Sequence, residues 1–148
     1  MTRARDLANL ADSAVGIESA WTSYTPTISG GSVGNGTLTS FYKQIGKTVF
    51  VRFKFTLGST STVNGFQISR PVTSVTVPST SMIGLAGLRD AGVAGYVGTV
   101  ADYDTTKFYV TNLKTDSTYA GPPEIGTTTP FTWGTGDEIA FTCVYEAA

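Results

Sequence analysis

An all-β fold, an antiparallel β-sandwich of about eight or nine short strands behind a short N-terminal helix, is predicted by three observations. Two long segments alternate apolar and polar residues with a period of 2; turn signals recur at short intervals between them; and the composition is uncharged and turn-rich, with only 14% charged residues and 17 glycines among 148. A chain of this length forms one domain and buries enough apolar surface to fold without staples. Residues 1–20 are expected to form a helical oligomerisation or attachment segment, and residues 21–148 the β-domain.

The helix is read from residues 3–17, where Leu7, Leu10, Ala14 and Ile17 recur at spacings of 3, 4 and 3 with charges around them. Two heptads of seam are marginal alone in water, so the helix needs a partner, either its own sheet or the same helix in sister subunits. A thin Leu/Ala stripe suits parallel sister helices better than a broad sheet face.

From Trp21 onward the period is 2. In residues 47–57, Val49, Val51, Phe53, Phe55 and Leu57 share one face, predicted to be core, and Thr48, Phe50, Arg52, Lys54 and Thr56 share the other. Residues 137–147 repeat the pattern with Ile139, Phe141, Cys143 and Tyr145 on one side, a strand expected to close the sandwich. Residues 37–45 should pair with 47–57 as a hairpin, because Gly46 supplies the positive φ of a tight turn. Further strands are expected near 21–28, 66–70, 72–77, 81–89, 93–101 and 107–113. Turns are expected at Gly58 to Asn64-Gly65, Pro78-Ser79, Asp90 to Gly92, Asp102 to Thr105 and Gly121-Pro122-Pro123. Connection order, jelly-roll or immunoglobulin-like, is not written in the pattern. The glycine-rich run 82–98 reads as thin strands with bulges or close backbone approach, and is expected where sister subunits meet.

Several function classes are disfavoured by composition. Ten basic residues are scattered singly against eleven acidic ones, so no cationic stripe exists to bind a phosphate backbone, and no nucleic-acid partner is expected. The leading residues carry Asp6 and Asp12 with no continuous apolar run, so neither a secretion signal nor membrane insertion is expected, and the chain should fold in a cytosol. The single cysteine, Cys143, cannot form an internal disulfide and reads as a small buried core residue. With no histidine, the Ser-His-Asp and Cys-His schemes fall away together with the commonest zinc ligand. Asp137 and Glu138, adjacent on a strand, point to opposite faces and cannot be a glycoside-cleaving pair. The runs GGSVGNG and GLAGLRDAGVAGYVG lack the Gly-Lys-Ser/Thr of a phosphate loop. Neither a cofactor nor catalysis is expected.

What remains is binding. Asp102 and Asp104 in VADYDTTKF are a weak calcium candidate, since they lack the rest of a calcium loop; solvated turn carboxylates are the simpler reading. Tyr103, Tyr109, Tyr119 and Trp133 lie in or beside polar loops, where flat amphipathic rings can stack on sugars or fill a protein interface. The connection 115–136 is long, and such loops are often functional. Trimer packing or a plain surface excursion is the simpler account of this loop.

The run WTSYTPTISGGSVGNGTLTSFYKQIGKTVFVRF, residues 21–53, resembles a recurrent segment of bacteriophage tail-fibre and minor virion structural proteins. The resemblance is carried by Trp21, Tyr24 and Pro26, the Gly34-Asn35-Gly36-Thr37 turn, Tyr42 and Gly46, and Val49 and Val51. It covers about a quarter of the chain, and its elements are individually common. It implies a virion-attached, jelly-roll-like β-sandwich, usually trimeric, made in the host cytoplasm, with other phage structural proteins and a host-surface glycan or protein as partners. A short tail or baseplate fibre or spike is the first expectation, and a capsid decoration or head fibre the alternative. A carbohydrate-binding module or glycan-cleaving enzyme is the alternative of another class. Fibre proteins are often much longer, with a repetitive shaft that this sequence lacks.

Overall fold

The computed structural model describes residues 20–76, 81–114 and 121–148, and the regular structure among them is all strand. The helix predicted at 3–17, with its Leu7, Leu10, Ala14 and Ile17 seam, lies outside the described residues. Nine strands follow: β1 (Thr22–Ser23), β2 (Ile28–Ser32), β3 (Thr37–Ile45), β4 (Thr48–Thr56), β5 (Thr62–Ser69), β6 (Met82–Asp90), β7 (Ala94–Asp102), β8 (Lys107–Asn112) and β9 (Glu138–Glu146). All pairings are antiparallel, in one sheet of order β1-β3-β4-β9-β6-β7-β8-β5-β2.

That sheet curls until its two halves face each other. Phe66 of β5 stacks on Phe55 of β4, ring centroids 5.6 Å apart, and Phe108 of β8 meets Phe141 of β9 edge-on at 5.4 Å. The inner face is the one the alternation predicts: Val49, Val51, Phe53, Phe55 and Leu57 are buried, as are Ile139, Phe141, Cys143 and Tyr145. Each large side chain taken wholly from water contributes about 1.5–3 kcal/mol, which is why the pleat holds this register. β3 and β4 form the expected hairpin, with Gly46 at φ 58°.

The last strand, β9, lies mid-sheet between β4 and β6, where both neighbours satisfy its backbone. Three expectations need correction. Asn64-Gly65 is not a turn but part of β5; Gly65, at φ 64°, lies against Gly30, at φ 70°, and a Cβ on Gly30 would stand 2.1 Å from the Gly65 carbonyl. The register of β2 against β5 slips there, so the pair is a bulge that needs two glycines. The segment expected as a strand at 21–28 is only the two-residue β1, and the glycine-rich ISGGS beyond it forms β2. The strand expected at 72–77 reduces, among its described residues, to one bridge from Ser74 to Ala147.

One end of the curl is locked by a buried ion pair. Arg70, just past β5, and Asp102, the last residue of β7, pair with side chains 0% and 1% exposed. Arg70 Nη2 also donates to the carbonyls of Asp104 (3.3 Å) and Lys107 (3.2 Å), and its guanidinium lies over the Tyr145 and Phe108 rings. At the opposite flank the β2–β3 and β4–β5 turns interlock: Asn35 Oδ1 accepts from Thr60 N and Oγ1, both at 3.0 Å, and Thr60 Oγ1 accepts from Asn35 N at 2.9 Å.

Candidate binding site

β8 pairs with β5 only from Lys107 to Tyr109; beyond that the strands separate. The long connection before β9 fills the gap. Ile125, fully buried, accepts from Gly65 N through its carbonyl (2.9 Å) and donates to Val110 O (3.3 Å), while Asn112 N donates to Pro123 O at 2.9 Å. Residues 121–126 are therefore a wedge in the sheet rather than a surface excursion. The backbone groups that β5 and β8 lose in parting are satisfied by the wedge instead.

The wedge raises Pro122 and Glu124 beside the end of the β7–β8 hairpin, and with Asp102, Tyr103 and Tyr109 they line a cleft of about 400 Å³. Each wall has a local cause. Phe108 and Val110 point into the core, so Tyr109 between them points out. Tyr103 stands 49% exposed on the turn after β7, its ring edge-to-face with Tyr109 at 6.2 Å. The turn is pinned by Asp104 Oδ1, which accepts from Thr106 N (2.6 Å), Thr106 Oγ1 (2.7 Å) and Lys107 N (2.8 Å). Desolvation opposes the charged Asp104 carboxyl, but the Thr106 and Lys107 hydrogen bonds outweigh it and hold the group below the usual carboxylate range. Lys107 Nζ lies 5.9 Å from the centre of the Tyr103 ring.

The four aromatic candidates do not converge. Tyr103 and Tyr109 share the cleft. Trp133 belongs to another group: its ring packs at a tilt on Phe131, centroids 4.4 Å apart, Phe131 in turn meets Tyr96 at 5.2 Å, and the indole N–H donates to Gly126 O at 2.9 Å. Tyr119 lies outside the described residues. The calcium candidates are committed elsewhere, Asp102 to Arg70 on the inner side and Asp104 to its own turn. Among the described residues no three acidic or cysteine side chains are grouped as metal ligands. Pro122 was read from sequence only as part of a Gly121-Pro122-Pro123 turn, where the backbone instead runs into the wedge, and Glu124 was not singled out, although both stand in the long connection that was. Asp137 and Glu138 do face opposite ways: Asp137 is buried, accepting from Ala91 N and Gly134 N, and Glu138 points outward to Lys54.

The cleft offers an exposed phenol ring at Tyr103 and a half-buried one at Tyr109 for stacking and a carboxylate at Glu124 to accept hydrogen bonds, with the Lys107 ammonium beside the Tyr103 ring to donate them. That is the equipment of a binding surface for a sugar ring or a flat side chain.

The run 21–53 occupies β1 to β4, and its marked residues hold the scaffold. Trp21 covers the Arg52 guanidinium at 4.6 Å, Tyr24 meets Tyr42 edge-on at 5.8 Å, Pro26 is buried, and Val49 and Val51 are core. No protein-family model, curated protein or solved structure matches the chain.

Proposed function

We propose that this chain is a non-enzymatic virion structural protein, a short trimeric phage fibre or spike of the tail or baseplate that contacts the host surface through the Tyr103/Tyr109 cleft. In this reading the curled sheet is a jelly-roll-like sandwich, and residues 1–20 are its helical attachment segment. The observation that carries it is the β6–β7 ribbon, where Met82, Leu85, Val93 and Val97 are 58%, 68%, 76% and 59% exposed. Single exposed apolar residues are ordinary, but four large ones on one hairpin support a reading in which another subunit packs along it. The resemblance of residues 21–53 to phage fibre segments supports the virion setting, and the exposed Tyr103 ring, with Tyr109 beside it, supports the contact role.

The test is the native mass of the purified protein, followed by labelling on intact particles. Three copies of the 15.5 kDa chain located on a tail or baseplate are expected, and Tyr103→Ala with Tyr109→Ala should weaken adsorption of those particles to host cells. A lone 15.5 kDa species absent from every particle would overturn the reading.

A further inference from the structure

Tyr103 and Tyr109 do not form a flat platform. Their planes stand 82° apart with centroids separated by 6.2 Å, so the two rings meet as adjoining walls of a corner. The negative face of an aromatic ring attracts a cation within about 6 Å of its centre, and rings set as walls can surround one. Tyr103 already shows this property, with the Lys107 ammonium 5.9 Å from its centre.

The charge lining the corner has the sign a cation needs. Asp102 borders the cleft, but its carboxylate is committed to Arg70 inside the fold. The ion pairs among the described residues are Lys54 and Arg89 with Glu138 and Arg70 with Asp102, and Glu124 is in none of them. The Glu124 carboxylate comes down beside the bare backbone of β5, where Oε1 lies 3.3 Å from the place a Cβ would take on Gly65. Gly65 sits at φ 64°, so the bulge that needs its glycine also leaves room for the carboxylate. On the adjoining turn Asp104 and Lys107 carry opposite charges and offset each other, so Glu124 leaves the cleft one charge negative. An acidic sugar is repelled there, and a neutral one makes no use of the field.

Size narrows the ligand further. The cleft holds about 400 Å³, at the small end of sites for organic ligands and far more than an ammonium group fills. Its occupant therefore has a body beside its charge. A lysine stem is thin and gives up rotamer freedom on binding, whereas a pyranose ring is rigid and can turn C–H groups toward the phenol rings and Pro122 while its hydroxyls stay in water.

We propose that the cleft takes an amino sugar with a free ammonium group, the cation seated between the Tyr103 and Tyr109 rings and the Glu124 carboxylate. The inference rests on the reading that this cleft contacts the host surface, and names the chemistry it contacts. Titration of the full chain with glucosamine, N-acetylglucosamine and glucose, followed by NMR of the tyrosine rings, is the test, because the three share a ring and differ at one carbon. At pH 6, below the value of about 7.7 usual for such amines, glucosamine should bind with a Kd on the order of 1 mM, roughly tenfold more tightly than the other two. Glu124→Gln should bring glucosamine within about twofold of glucose. Lys107→Met removes a competing like charge and should strengthen glucosamine binding roughly threefold, a gain that damage to the fold would not produce. Equal binding of glucose or N-acetylglucosamine, no binding of any of the three, or an unaltered glucosamine affinity in Glu124→Gln would overturn the assignment. Choline or lysine amide binding as tightly as glucosamine would overturn it too, since the sugar ring would then contribute nothing. The contact reading fails separately, if particles carrying Tyr103→Ala with Tyr109→Ala adsorb to host cells normally.

Discussion

The Arg70–Asp102 pair invites a double-mutant cycle. With both side chains essentially unexposed, Arg70→Met leaves the Asp102 carboxylate alone in the protein interior, and removing one partner of a buried ion pair costs about 3–5 kcal/mol. The upper half of that range applies, because Arg70 also supplies donors to Asp104 O and Lys107 O and lies 4.6 Å over the Tyr145 ring. Asp102→Leu strands a cation that keeps those carbonyls and rings, so about 3 kcal/mol is expected. The double variant buries no charge and loses only the carbonyl donors, about 1–2 kcal/mol. The coupling is then about 6 kcal/mol, against a whole-domain stability of about 5–15 kcal/mol. Urea unfolding at pH 7 measures it: with an m-value of about 2 kcal/mol/M, Arg70→Met should lower the midpoint by about 2 M and the double variant by less than about 1 M. A double variant as unstable as the sum of the singles would refute the reasoning, since the two groups would then be acting independently.

Two further outcomes follow from the titrating groups. Burial pushes the Cys143 thiol up to about 12, with Asp102 adding to the rise and Arg70 opposing it, so a thiol-specific reagent at pH 8 should react with folded protein roughly 100-fold more slowly than with urea-unfolded protein; stoichiometric reaction on mixing would sink this. The hydrogen bond from Lys54, with the charges of Lys54 and Arg89, holds the Glu138 carboxyl below its usual range. The stabilisation is therefore present above the unfolded pKa and lost as pH falls through the lowered folded value. Lys54→Met should move the Glu138 carboxyl titration, followed by NMR, back upward and flatten the loss of stability in acid; an unmoved titration would show that Lys54 is not the cause.

Legibility varied with the range of the interaction. The faces of β4 and β9 and the β3–β4 hairpin could be read because alternation and a turn glycine act over neighbouring residues. Asn64-Gly65 misled for the same reason: the pair has a turn's chemistry, and only Gly30, far off in the chain, makes it a bulge. Tyr103 and Tyr109 could be picked out, but not the Pro122 and Glu124 wall that makes a cleft of them, and Arg70 gave no local sign of its buried carboxylate.

By itself the sequence determined that the domain from residue 21 onward is built of strands, which residues of its long strands go inside, and that it contains no histidine. These follow from side-chain direction and composition, which no partner can alter. Only the tertiary structure decided that the last strand lies mid-sheet, that residues 121–126 wedge between β5 and β8, and that Glu124 stands in one cleft with Tyr103 and Tyr109. Those outcomes depend on which distant backbone groups find each other as the sheet curls, a competition among many pairings that local periodicity does not encode.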